Sequence, residues 1–182
     1  MIRGSQELAE LYQVTSEGVV PTVRLRDGTV SIQYKGHTLP WAWRNRTIRA
    51  ALNTTIPWAV ELHGGARRLT AHLTNVDLSG LMLAGGAERM RVNLGRPRGS
   101  VTVGVMGGVS QLRIDRPQGV PLRLRLTGGA GHVEFDRQRL DGVAGSTTLE
   151  SPGAADADDV FLVEITGGAS RIAVQEAGSG ER

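Results

Sequence analysis

Five Gly-Gly pairs recur in one phase along the chain, at Gly64-Gly65, Gly85-Gly86, Gly107-Gly108, Gly128-Gly129 and Gly167-Gly168. Their successive spacings are 21, 22, 21 and 39 residues. Two residues before the first glycine of each pair stand Leu62, Leu83, Val105, Leu126 and Ile165, and four before it stand Val60, Leu81, Val103, Leu124 and Val163. Four after the second glycine stand Leu69, Met90, Leu112, Val133 and Ile172, and six after it Ala71, Val92, Ile114, Phe135 and Val174. All twenty positions are apolar, which marks a structural repeat.

The flanks alternate with period two, the pattern of half-buried strands on either side of a corner. A tight Gly-Gly hairpin would set Leu62 opposite Arg67, Leu83 opposite Glu88 and Val105 opposite Ser110. Strands sharing one core-facing side would pair apolar residues there. The corners are therefore expected to be wider bends, about five residues long, where glycine supplies positive φ or lets backbones approach closely.

Two short strands and a corner per period suit one coil of a solenoid, with equivalent side chains of successive coils stacked in ladders. The expected fold is all-β: a single-domain right-handed β-solenoid of parallel coils. The alternative is an antiparallel β-sandwich or meander. In sequence-order stacking, Arg113 would lie beside Glu134 on an outward ladder. The expected organisation is an N-terminal cap segment over 1–22, a β-repeat domain over 23–176 and a flexible tail over 177–182.

A weaker sixth unit lies around Asp27-Gly28, where a type I′ hairpin would pair Val23 with Ile32 and Leu25 with Val30 and could close one end of the stack. Gln6–Tyr12 is compatible with a short helix. Two insertions break the period. Residues 36–55 hold Trp41, Trp43, Arg44, Arg46 and Arg49, and residues 137–159 hold a glycine- and serine-rich stretch ending in Asp156-Ala157-Asp158-Asp159.

Composition narrows the function classes. Glycine accounts for 25 of the 182 residues, aromatics for only 4%, and cysteine is absent, so no disulfide framework or Cys-ligated metal site can form. The formal net charge is +3, and the arginines are scattered in strand-like runs, without the dense basic stripe and interleaved aromatics of a nucleic-acid footprint. No apolar run reaches membrane-spanning length, and Met1–Glu10 has no apolar leader. The expectation is a cytoplasmic protein with no membrane span and no nucleic-acid partner.

The chemical candidates are sparse. His37, His63, His72 and His132 lack a metal-ligand spacing, and the nucleophile-elbow, phosphate-loop and dinucleotide fingerprints are absent. Asp115 and Asp136 occupy equivalent positions seven after the second glycine, so adjacent coils would place two carboxylates roughly 5 Å apart. That pair, or the 137–159 loop, would serve a carbohydrate-binding or carbohydrate-active β-helix. The Trp41, Trp43, Arg44, Arg46 stretch reads either as a protein-interaction anchor or, with Trp58, as a plug for the apolar end of the stack. No catalytic, cofactor or metal residue is assigned.

Three phrases carry a family resemblance: Val163-Glu164-Ile165-Thr166-Gly167-Gly168-Ala169-Ser170, Leu126-Thr127-Gly128-Gly129-Ala130-Gly131-His132-Val133 and Arg116-Pro117-Gln118-Gly119-Val120-Pro121. Across residues 56–176 the chain resembles the glycine-repeat β domains of bacterial cell-envelope stress proteins, the "toastrack" group and the C-terminal domain of LiaF-type proteins. The preference for arginine over lysine suits an actinobacterial genome. Members of the group join this domain to transmembrane helices or small signalling modules and act in sensing or regulation. The resemblance implies a non-enzymatic scaffold for protein–protein interaction or self-assembly, a homo-oligomer among the outcomes, with no cofactor.

Overall fold

A computed structural model describes residues 1–6, 8, 10–17, 22–26, 29–33 and 47–178. Every regular element among them is a strand. In chain order these are β1 (Ile2–Ser5), β2 (Tyr12–Glu17), β3 (Thr22–Arg26), β4 (Thr29–Gln33), β5 (Thr47–Asn53), β6 (Trp58–His63), β7 (Ala66–Leu73), β8 (Leu78–Ala84) and β9 (Ala87–Leu94). There follow β10 (Ser100–Met106), β11 (Val109–Arg116), β12 (Leu122–Leu126), β13 (Ala130–Phe135), β14 (Gln138–Val143), β15 (Thr147–Glu150), β16 (Val160–Ile165) and β17 (Ala169–Glu176). They form two mixed sheets. The first runs β14-β13-β17-β11-β9-β7-β1-β5-β2, the second β15-β12-β16-β10-β8-β6-β4-β3.

Each Gly-Gly pair sits where the chain leaves the second sheet and enters the first. The corner is tight: only Gly64 and Gly65 separate β6 from β7. The two strands do not pair with each other, so the polar residues facing them across a hypothetical hairpin carry no penalty. Each pairs in parallel with equivalent strands, Val60 with Leu81 and Leu69 with Met90. The twenty repeat positions line the interior between the sheets, and with few exceptions they are fully buried. Each buried Leu, Val or Ile stabilises the fold by roughly 1.5–3 kcal/mol.

Glycine is needed at these corners for close approach. A Cβ on Gly85 would lie 2.5 Å from the carbonyl oxygen of Gly64, and one on Gly107 would lie 2.5 Å from that of Gly85. Backbone hydrogen bonds cross the same contacts, from Ala66 N to Gly86 O (3.0 Å) and from Ala87 N to Gly108 O (3.0 Å).

The order of units in space departs from their order in sequence. The strands β16 and β17 lie between the units β10–β11 and β12–β13, pairing in parallel with both. The 39-residue spacing is the cause. Its extra length forms β14 and β15, which fold back antiparallel on the outer sides of β13 and β12 and occupy the sheet edges. The last unit then fills the slot inside them. Consequently Ala173 lies between Arg113 and Glu134, which are not neighbours as expected. The N-terminal end is built similarly: β1 lies between β5 and β7, parallel to both, with Ile2 in the core. Residues 6, 8, 10 and 11 are irregular and Tyr12 opens a strand, so the short helix expected over 6–12 does not form. The hairpin register of β3 and β4 is the expected one, Val23 with Ile32 and Leu25 with Val30.

A buried guanidinium ties three units together. Arg116, at the end of β11, is only 1% exposed. It donates from Nη1 and Nη2 to the two carboxylate oxygens of Asp136 (2.8 and 2.7 Å) and from Nε to the Val120 carbonyl (2.7 Å). Glu176, at the end of β17, lies 4.0 Å from Nη2 and accepts from the Gly119 amide (2.9 Å). Bidentate pairing with added backbone bonds is the geometry that compensates burial of an arginine.

Two outcomes follow from the corners and the clamp. Gly107→Ala should cost clearly more than Gly119→Ala, because both need positive φ (138° and 73°) but only Gly107 faces backbone where its Cβ would go. Chemical denaturation should show about 1–2 kcal/mol lost at Gly119 and at least twice that at Gly107. Arg116→Leu removes the bidentate partner of the Asp136 carboxylate and should cost roughly 3 kcal/mol. Arg98→Leu, which breaks an exposed pair with Asp77, should cost less than about 1 kcal/mol in the same assay.

Candidate functional site

The carboxylate pair expected on adjacent coils does not form. Asp115 pairs in register with Asn93 on one side and Gln175 on the other, and the strand carrying Gln175 separates it from Asp136. Each carboxylate is also engaged. Asp115 is buried and accepts from Arg113 Nε (3.0 and 3.1 Å) and Asn93 Nδ2 (3.3 Å), while Asp136 is held by Arg116.

The remaining sequence candidates disperse. Within the 137–159 insertion Asp159 accepts from the Gly99 amide (2.5 Å) and anchors the loop. His63 lies 3.3 Å from Glu61, and His132 contacts Asp141. No three His, Asp or Glu side chains converge on a common point among the described residues. Trp58 is buried in the core and donates from Nε1 to the Asn53 carbonyl (2.6 Å). Trp41, Trp43, Arg44 and Arg46 lie outside the described residues.

The least ordinary described surface is the outer face of the eight-stranded sheet. It presents the positions three and five residues before each Gly-Gly pair. The register gives one row as Glu61, Met82, Gly104, Glu164, Arg125 and the next as Ala59, Gly80, Thr102, Leu162, Arg123. Over β8 and β10 the outward residues are Gly80, Met82, Ala84, Thr102, Gly104 and Met106, none of them charged. Met82 lies flat across Gly104, whose Cβ would meet its Sδ and Cε at 2.5 Å. Met106 is 49% exposed, one of the few large apolar side chains so open. Flanking this strip are charges: Glu61 on β6, Glu164 on β16, Arg125 on β12. The repeat phase contained this signal, since the same alignment that marks the interior rows marks the positions between them.

A flat, small-residue, uncharged strip bordered by charges is suited to contact with another protein surface; it offers no cleft for a small substrate. No helix among the described residues is long and apolar enough to cross a membrane.

No protein-family model matches the chain, and no curated protein is significantly similar to it. The solved structure of a candidate cell adhesion protein from Clostridium sporogenes is similar in fold, with a TM-score of 0.72. The match covers 96% of this chain and 87% of that one at 17% sequence identity. At that identity the likeness is one of fold.

Proposed function

We propose that the chain is a non-enzymatic β-repeat scaffold, a β-solenoid in architecture, that associates with a second copy of itself through the outer face of the eight-stranded sheet. The observation that carries this reading is the uncharged strip over β8 and β10 together with the charges that border it. A two-fold axis running parallel to β10, over its outer face, sets the strand two places to one side opposite the strand two places to the other. Those strands are β6 and β12. Glu61 of one copy then faces Arg125 of the other, and the reverse contact forms by symmetry, the self-complementarity a two-fold interface requires. Arg125 is exposed and has no ion pair among the described residues.

The engagement of Asp115 and Asp136 by arginines supports the non-enzymatic reading, and the adhesion description of the structural neighbour is compatible with an interaction scaffold. A role in envelope-stress signalling rests on the sequence resemblance alone.

Charge reversal tests the interface. Light scattering behind size exclusion should show the parent chain as a dimer. Glu61→Arg and Arg125→Glu should each weaken association roughly tenfold or more by setting like charges face to face. The double variant Glu61→Arg/Arg125→Glu should regain the dimer. A monomeric parent chain at high micromolar concentration, or single variants that dimerise like the parent, would contradict the proposal.

A further inference from the structure

The outer face of the nine-stranded sheet carries a different chemistry. Around its centre, register brings together two rows: Arg68, Arg89, Gln111, Arg171 and, two residues further along each strand, Thr70, Arg91, Arg113, Ala173. Five of these eight positions are arginine and none is acidic. The residues between the two rows, Leu69, Met90, Leu112 and Ile172, are buried, so the arginines face out. Arg89 lies 3.4 Å from Glu88, and Arg113 is paired with Asp115. Arg68, Arg91 and Arg171 are exposed and have no ion pair among the described residues.

Strands about 4.8 Å apart, and alternate residues about 6.6 Å apart, make this a lattice of arginine positions. Arg68 stands directly across from Arg89, and Arg91 from Arg113. Like charges opposite one another destabilise a sheet. Three strands, β7, β9 and β11, share that cost although the chain as a whole carries only +3. A multivalent anion laid across the lattice removes it.

We infer that this face binds a linear acidic polysaccharide, with sulfate or carboxylate groups spanning the two rows. Guanidinium pairs in a bidentate manner with such planar or forked oxyanions. The arginines are spread over four adjacent strands, so a polymer gains from several contacts at once where a single small anion reaches only one or two. The eight positions include no aromatic side chain, so the stacking platform that single-stranded nucleic acids use is missing. This site lies on the sheet opposite the proposed self-association face, and neither inference depends on the other.

The probe is a heparin-derived oligosaccharide, titrated into the full chain by calorimetry at low and at moderate salt, with duplex DNA as the comparison. The parent chain should bind the oligosaccharide more tightly than DNA, and the affinity should fall with salt. Arg68→Gln/Arg91→Gln/Arg171→Gln should lose roughly 100-fold, about fivefold per guanidinium. Arg24→Gln/Arg26→Gln/Arg98→Gln removes the same charge elsewhere and should lose less than about threefold, which separates the lattice from net charge. Circular dichroism verifies that both variants are folded. Absence of binding by the parent chain overturns the inference, as do equal losses in the two triple variants or tighter binding of DNA.

Discussion

Backbone touches backbone at the glycine corners, and the remaining architecture follows from that contact. The first glycines of all five pairs stack so closely that a methyl group on Gly85 or Gly107 would penetrate the carbonyl of the glycine beside it. Amide-to-carbonyl bonds run up the same column, through Val109 N to Gly168 O and Ala169 N to Gly129 O. Any side chain there would push units apart, opening the parallel ladders and the interior rows of Leu, Val and Ile together. The column also fixes where the last unit belongs: a Cβ on Gly128 would meet the Gly167 backbone at 2.6 Å, which places the fifth unit beneath the fourth.

Once the corners set register, residues about 21 positions apart become neighbours on the outer faces, and those faces are free of core constraints. The two sheets use that freedom differently. One presents glycine, alanine, threonine and methionine in a strip flanked by Glu61 and Glu164, with Arg125 one strand further out; the other presents arginine at five of eight central positions. The buried polar contacts serve cohesion. Arg116 joins the third, fourth and fifth units in one ion-pair network, so the Asp136 carboxylate that resembles half of a catalytic pair in sequence acts as the acceptor of a clamp.

The interior of the fold was legible because apolar phase reports which residues face inward, as Val103, Leu124 and Ile172 illustrate. Unit order was not legible, since every unit carries the same phase and a ladder position such as Ala173 fits beside Arg113 or Glu134 equally well. The 39-residue spacing signalled an irregularity, but its consequence depended on β14 and β15 folding back to occupy the edges, a tertiary event. For the same reason Arg113 was visible on an outward ladder while its real neighbour on the far side was not. The tryptophans at 41 and 43 offered the strongest composition signal for an interface, yet the described surface points to residues without aromatic character, which stand out only after register assembles them.

The insertion of the last unit between the third and fourth is the claim most open to direct measurement, and a chain without native cysteine makes that measurement clean. Cysteines at positions 134 and 173 would sit on adjacent parallel strands, within the Cα separation a disulfide tolerates. Cysteines at 113 and 134 would be two strands, or about 10 Å, apart. Under mild oxidation Glu134→Cys/Ala173→Cys should cross-link within the monomer and Arg113→Cys/Glu134→Cys should not. The reverse result, an efficient 113–134 disulfide with none between 134 and 173, would mean that the units stack in sequence order and would contradict the arrangement described.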